Sequence, residues 1–290
     1  MASRAALTAY GPMVVVSVEQ SLPAEQRVVS DELAARFLPF PVPALLKLTR
    51  WACFRDWMIR MSARNGRGVW ASVLCRKRYI DDQLAQALRS GVESVVILGA
   101  GLDTHAYRSG FPRDIPVFET DLPENIEYKR KKVKRLRGEI PANVRLVPVD
   151  FDIQDLAACL ASQGYRTAGK TFFLWEAVTQ YVSGEGVRRT MDFLSNAASG
   201  SRLVFTYIRE DFMNGTNRYG LEFMYGEYRG DPPIWRFGLA PEEVAAFLLS
   251  YGWREIEQFG GREYALRYLE PLGRDLPVTE IERIVCAERA

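Results

Sequence analysis

Short apolar runs recur through the middle of the chain at residues 95–98, 117–118, 145–149, 171–175 and 201–207, with amphipathic or polar stretches between them. Near-continuous apolar runs are what strands covered on both faces look like. Their alternation with helical segments predicts an α/β fold: a doubly wound, mostly parallel (Rossmann-like) sheet with helices on both faces. Ahead of it, residues 1–90 carry helical patterns, such as 30–38 and 51–61, punctuated by prolines at 39, 41 and 43 that break helices. They predict an N-terminal helical lid, followed by one domain over 91–290. Behind the fifth run, a polar, aromatic and glycine-containing stretch precedes an amphipathic helix over 241–251 and a strand-like pair at 255–259 and 264–269. Ligands of open α/β sheets sit beyond the carboxyl ends of the strands, so an insertion at about 209–235 is placed to cap a substrate pocket.

The first apolar run leads straight into Gly99-Ala100-Gly101-Leu102-Asp103-Thr104. Glycines let the backbone turn tightly and approach a ligand, and a helix start behind them would offer unpaired N–H groups. Glu119 and Asp121 follow the next run, the latter 22 residues beyond Gly99, where an acid can bind ribose hydroxyls. Thr104 replaces the third small residue of a dinucleotide fingerprint, and no lysine follows the turn as a P-loop requires. A ligand with an amino-acid moiety and an adenosine ribose suits this pattern, and S-adenosylmethionine is one.

Composition narrows the picture. The chain has 290 residues, 48% hydrophobic, with a formal net charge of +2, which supplies a large core but no global attraction to nucleic acid or anionic membrane. No apolar run approaches the ~20 residues of a bilayer span, and no signal layout opens the chain, so a cytoplasmic enzyme is expected. Cys53, Cys75, Cys159 and Cys286 lack CxxC spacing, which predicts reduced thiols and no metal site. The basic run 129–137 carries Val133 and Leu136 three residues apart, the mark of a surface helix with one buried stripe and a solvated face rather than an RNA track. The single histidine, His105, is expected to be structural or solvent-facing.

Five ordered blocks carry a family resemblance. VVILGAGLDTHAYR with the downstream VFETD, RKRYIDD at 76–82, DELAARFL at 31–38, VDF at 149–151 with WEAVTQYV at 175–182, and PIWRFGL at 233–239 together resemble the leucine carboxyl methyltransferase superfamily. That resemblance implies a class I S-adenosylmethionine-dependent O-methyltransferase of the branch acting on bacterial natural products, with S-adenosylhomocysteine as product. It implies cofactor contacts from Gly99, Ala100, Gly101 and Asp103, and from an arginine of the 76–82 block, Arg76 before Arg78, that grips the cofactor carboxylate. Asp121 is favoured for the ribose, with Glu119 assisting; Asp150 would take the adenine amino group and Phe151 cover the ring, the alternative for Asp150 being a helix cap. Glu176 would face the cofactor amino group or the pocket, and Tyr181, with Glu176, is the catalytic candidate. The segment 17–22 departs from the family where a basic residue is common, leaving Arg27 as a candidate.

The sulfonium methyl is activated by its own charge, so the task is to place an oxygen nucleophile in line and exclude water. A carboxylate acceptor needs no base, whereas a hydroxyl does. Tyr207, Arg209, Tyr225 and Trp235 are the candidates for holding a small-molecule or peptide acceptor. Two other readings stay open: an NAD-dependent oxidoreductase, and a non-catalytic cofactor- or RNA-binding module.

Overall fold

In the computed structural model, residues 10–290 are described. Seven strands form one sheet: β1 Ser94–Leu98, β2 Val117–Asp121, β3 Val144–Pro148, β4 Thr171–Trp175, β5 Arg202–Ile208, β6 Trp253–Phe259 and β7 Glu282–Arg289, in the order β3-β2-β1-β4-β5-β7-β6. The first five run parallel, and β7 pairs antiparallel with both β5 and β6. Strand order reverses between β1 and β4, where Ile97 lies beside Leu174. A crevice opens at such a point, beyond the carboxyl ends.

The longer helices are α1 Tyr10–Glu19, α2 Ala52–Asn65, α3 Val69–Arg89, α4 Pro123–Arg137, α5 Leu156–Ser162, α6 Gly184–Leu194, α7 Glu222–Arg229 and α8 Val244–Ser250. Because strand side chains alternate, Val95, Ile97, Phe172 and Leu174 join the core beneath α1 and α3. Val96, Leu98, Phe173 and Trp175 join the opposite core with α5, α6 and α8. Helix α3 buries thirteen residues, so it is a layer of the sheet's packing, although it lies within the stretch expected to be a lid. A third small core gathers Ile208, Phe212, Leu221 and Trp235 under the insertion.

Three expectations are corrected. The glycine turn does not open a helix: one 3-10 turn, His105–Tyr107, follows it before β2. Residues 264–269 are not a strand. The chain forms an α-turn at Gly261–Tyr264 and a π-turn at Ala265–Leu269, because Tyr264, Tyr268 and Leu269, spaced by four and one, share one buried side. The strand that fills the sheet is β7, whose four buried residues Ile284–Ala287 are bracketed by charges. In α4, Val133 is buried as expected, but Lys129 of the basic run is only 1% exposed, its ammonium 2.9 Å from Glu119. No helix among the described residues is long and apolar enough to cross a membrane.

Candidate active site at the strand-order reversal

A cavity of about 1210 Å³ opens at the carboxyl ends of β1 and β4. Gly99, Ala100, Gly101 and Asp103 after β1, Asp121 after β2, Asp150 and Phe151 after β3, and Glu176 and Tyr181 after β4 all line it, as do Arg76 from α3 and Trp235 from the insertion.

The turn is fixed by its own chain. Gly99 has φ +71° and a Cβ there would overlap Val178, while Gly101 has φ +42°; a side chain at Gly99 would be strained and would collide. The Gly101 N–H donates to Asp121 Oδ2 at 2.6 Å, and Asp121 Oδ1 accepts from the Leu122 N–H and Asn125 Nδ2, each at 2.7 Å. Burial pushes the Asp121 carboxyl above its usual range despite these donors. Asp150 Oδ1 accepts the Asp152 N–H at 2.9 Å. The helix cap that was its alternative role falls to Asp155, which accepts from Ala157 and Ala158.

Around the turn lies a connected set of charges. Glu176 takes Arg76 Nε at 2.8 Å and Lys77 Nζ at 2.7 Å, and Arg76 also donates to Glu282. Burial opposes charge on Glu176, but Lys77 and Arg76 outweigh it and hold its carboxyl below the usual range. Asp103 pairs with His105 Nδ1 at 2.7 Å, His105 Nε2 meets Asp81 at 2.8 Å, and Arg108 joins Asp81 at 2.6 Å to Asp31 at 3.0 Å. Burial works against a charged imidazole, yet Asp103 and Asp81 more than compensate, lifting His105 to about 9. The histidine is therefore structural, 3% exposed, and cationic near neutrality.

Four site expectations do not reach the cavity. Glu119, two residues before Asp121 and hence on the same sheet face, is fully buried, accepting from the Tyr107 hydroxyl at 2.7 Å and pairing with Lys129. Tyr207 is fully buried in β5, its hydroxyl on Gln258. Arg209 pairs with Asp211 at 3.0 Å, and Tyr225 packs its ring against Phe212 under the Arg218 guanidinium. Among the arginine alternatives, exposed Arg78 pairs with half-buried Asp82, and Arg27 donates to the Leu22 and Gln20 carbonyls. Lys77 and Glu282 were missed. Lys77 had a visible signal as Arg76's neighbour in a basic triplet; Glu282 begins the unrecognised strand.

The far end of the cavity is apolar. Trp235 is 4% exposed and stacks on Tyr228 at 4.3 Å, with Tyr181 edge-on at 6.5 Å. Much of the remaining wall comes from the N-terminal helices, including Met13, Trp57, Met58 and Met61. Arg236, at the rim, is held by Asp152 at 2.5 Å and by the Tyr181 carbonyl.

Residues 9–195 match the family described as leucine carboxyl methyltransferase. A Mycobacterium avium (strain 104) protein named "Putative S-adenosyl-L-methionine-dependent methyltransferase" is 28% identical over 264 residues, covering 85% of this chain and 84% of that one. A solved Thermobifida fusca structure, also of a protein named a putative methyltransferase, shares the fold at TM-score 0.55 and 15% identity, over 94% of this chain and 97% of that one. A DUF574 family protein from Streptomyces avermitilis shares it at TM-score 0.53 and 13% identity, over 81% and 90%.

Proposed function

The chain belongs to the leucine carboxyl methyltransferase family and is an S-adenosylmethionine-dependent methyltransferase; from that premise we propose that it transfers the methyl group to an oxygen, first of all a carboxylate, of a small-molecule or peptide natural product. The observation that carries this reading is the continuity of one cavity from the glycine turn to the aromatic end at Tyr181. At about 1210 Å³ it exceeds the ~300–1,000 Å³ that holds one small ligand, leaving room for an acceptor beside the cofactor.

The residues fit the cofactor. Among the described residues that line the cavity, Arg76, Lys77 and Arg236 stand against Asp103, Asp121, Glu124, Asp150, Asp152, Glu176 and Glu282, three basic groups to seven acidic. The excess negative charge suits a ligand whose sulfonium and ammonium outnumber its one carboxylate. In this reading Arg76 and Lys77 hold the carboxylate, Asp103 and Glu176 the ammonium, Asp121 the ribose, and Asp150 with Phe151 the adenine. When bound, the cofactor supplies a sulfonium methyl open to in-line attack.

Carboxylates near the transfer point are committed to cations, and Glu176 is held ionised by its partners. An acceptor that arrives already anionic needs no proton removed. Tyr181 is the residue that would orient the acceptor oxygen.

The test uses methyl-labelled cofactor with a panel of carboxylic acids and phenols. Label released as methanol by mild base marks a carboxyl ester, and base-stable label a phenolic ether; label on nitrogen or carbon overturns the reading. In calorimetry, Asp121→Ala is expected to weaken S-adenosylhomocysteine binding by about 1.5–3 kcal/mol. It is also expected to lower stability, since the Gly101 N–H loses its acceptor.

A further inference from the structure

Helices α2 and α7 are held by partly buried contacts alone, Met58 and Ile59 of α2 on the first core and Met224, Tyr225 and Tyr228 of α7 on the third. No described side chain of α2 from Ala52 to Arg64 is buried, and none in α7 is. Short helices owe most of their stability to an apolar face packed on a core. Both carry such a face: Trp57, Met58 and Met61 on α2, Met224 and Tyr228 on α7, all five lining the cavity. The two helices approach one another where a Cβ on Gly66 would come 3.2 Å from Met224 Sδ. Their apolar residues thus come together on one part of the cavity wall.

We propose, on the reading of this cavity as a methyl-transfer site, that the acceptor is an amphipathic small molecule with an extended apolar body. That body lies between α2 and α7, against Trp57, Met58, Met61, Met224, Tyr228 and Trp235, and its single oxygen nucleophile points to Tyr181. Three of these residues are methionines, whose unbranched side chains fit irregular apolar shapes. Arg236, at this rim, is paired with Asp152, so it does not call for a second charge on the acceptor. The covered space continues the cofactor end of the same cavity, which favours a small occupant over a membrane or a protein.

The experiment titrates straight-chain carboxylates from hexanoate to dodecanoate, below their micelle concentrations, into the full chain with and without saturating S-adenosylhomocysteine. Calorimetry and tryptophan fluorescence read binding. Affinity is expected to rise with each methylene, up to about fourfold where burial is complete. Trp57→Gln and Met61→Gln are expected to flatten that rise at least tenfold at dodecanoate while S-adenosylhomocysteine affinity stays within twofold. No dependence on chain length, an unchanged dependence in both variants, or tighter binding to phosphatidylglycerol vesicles that the variants abolish would overturn the apolar acceptor. A chain that binds no S-adenosylhomocysteine overturns the methyl-transfer reading itself, a separate result seen in the cofactor titration alone.

Discussion

The two ends of the cavity are built on opposite plans. Around the glycine turn, Asp103, Thr104 and His105 are 6%, 2% and 3% exposed, and an unbroken series of ion pairs runs from Asp31 to Asp103. At the other end, α2 and α7 present half-exposed tryptophan, methionine and tyrosine. A constant ligand rewards groups already held in place, because nothing must be reordered on binding. A ligand recognised by shape and apolar surface tolerates adjustable walls. The same division separates stability from specificity: the polar end ties the N-terminal segment to the sheet through Asp31 and Asp81, whereas the exposed α2 wall of the apolar end is expected to vary with little cost to folding.

The sharpest break of this comparison is Arg108→Ala against Trp57→Ala. Removing Arg108 leaves Asp31 and Asp81 short of their shared cation, and breaking a largely buried pair from one side costs about 3–5 kcal/mol. Trp57 is 51% exposed, and its loss is expected to cost less than about 1 kcal/mol. Urea unfolding of the two variants measures both; similar losses would show that the ends are not mechanically distinct.

A second prediction follows from His105. Its pKa in the folded chain, about 9, lies above the ordinary 6.5, so its contribution to stability is complete below about pH 6.5 and is lost as pH rises through 9. The slope between these limits is at most ~1.4 kcal/mol per pH unit. The difference in stability between the native chain and His105→Gln should shrink across that window. A difference independent of pH would mean that the ring is neutral and that Asp103 draws its stabilisation from elsewhere.

How much of this was legible in the sequence differs between the ends as well. Strands β1, β4 and β5 announce themselves because both faces are covered, and continuous apolar runs such as Phe172-Phe173-Leu174-Trp175 have few other uses. The chain positions of the glycine turn, Asp121, Asp150 and Glu176 follow from the strands, since each sits at a strand's carboxyl end. Glu119 was misread because spacing along β2 does not reveal that Lys129, from a run that looks solvated, turns inward to meet it. The apolar wall was largely invisible: the aromatics of the insertion drew attention, yet Tyr207, Arg209 and Tyr225 pack elsewhere, and Met58 and Met61 come from a helix more than a hundred residues away in sequence. Tertiary placement, not local pattern, brings those walls together.

The smallest effect tests whether the rigid end needs its strain. Ala177, between Glu176 and Val178, has φ +54°, the left-handed region that side chains with a Cβ disfavour by roughly 1–2 kcal/mol. The Ala177 N–H donates to Thr206 Oγ1 at 2.7 Å, which holds the turn. Glycine would relieve the strain but add about 0.4–1 kcal/mol of unfolded-chain freedom. Ala177→Gly should therefore stabilise by only a few tenths of a kcal/mol to about 1 kcal/mol, visible as a higher urea midpoint at constant m-value. Glu176 should stay between Arg76 and Lys77, leaving S-adenosylhomocysteine affinity within about twofold, since two ion pairs and not the alanine fix its carboxylate. Weaker binding by a more stable variant would mean that the strained turn, rather than the ion pairs, aims Glu176 into the cavity.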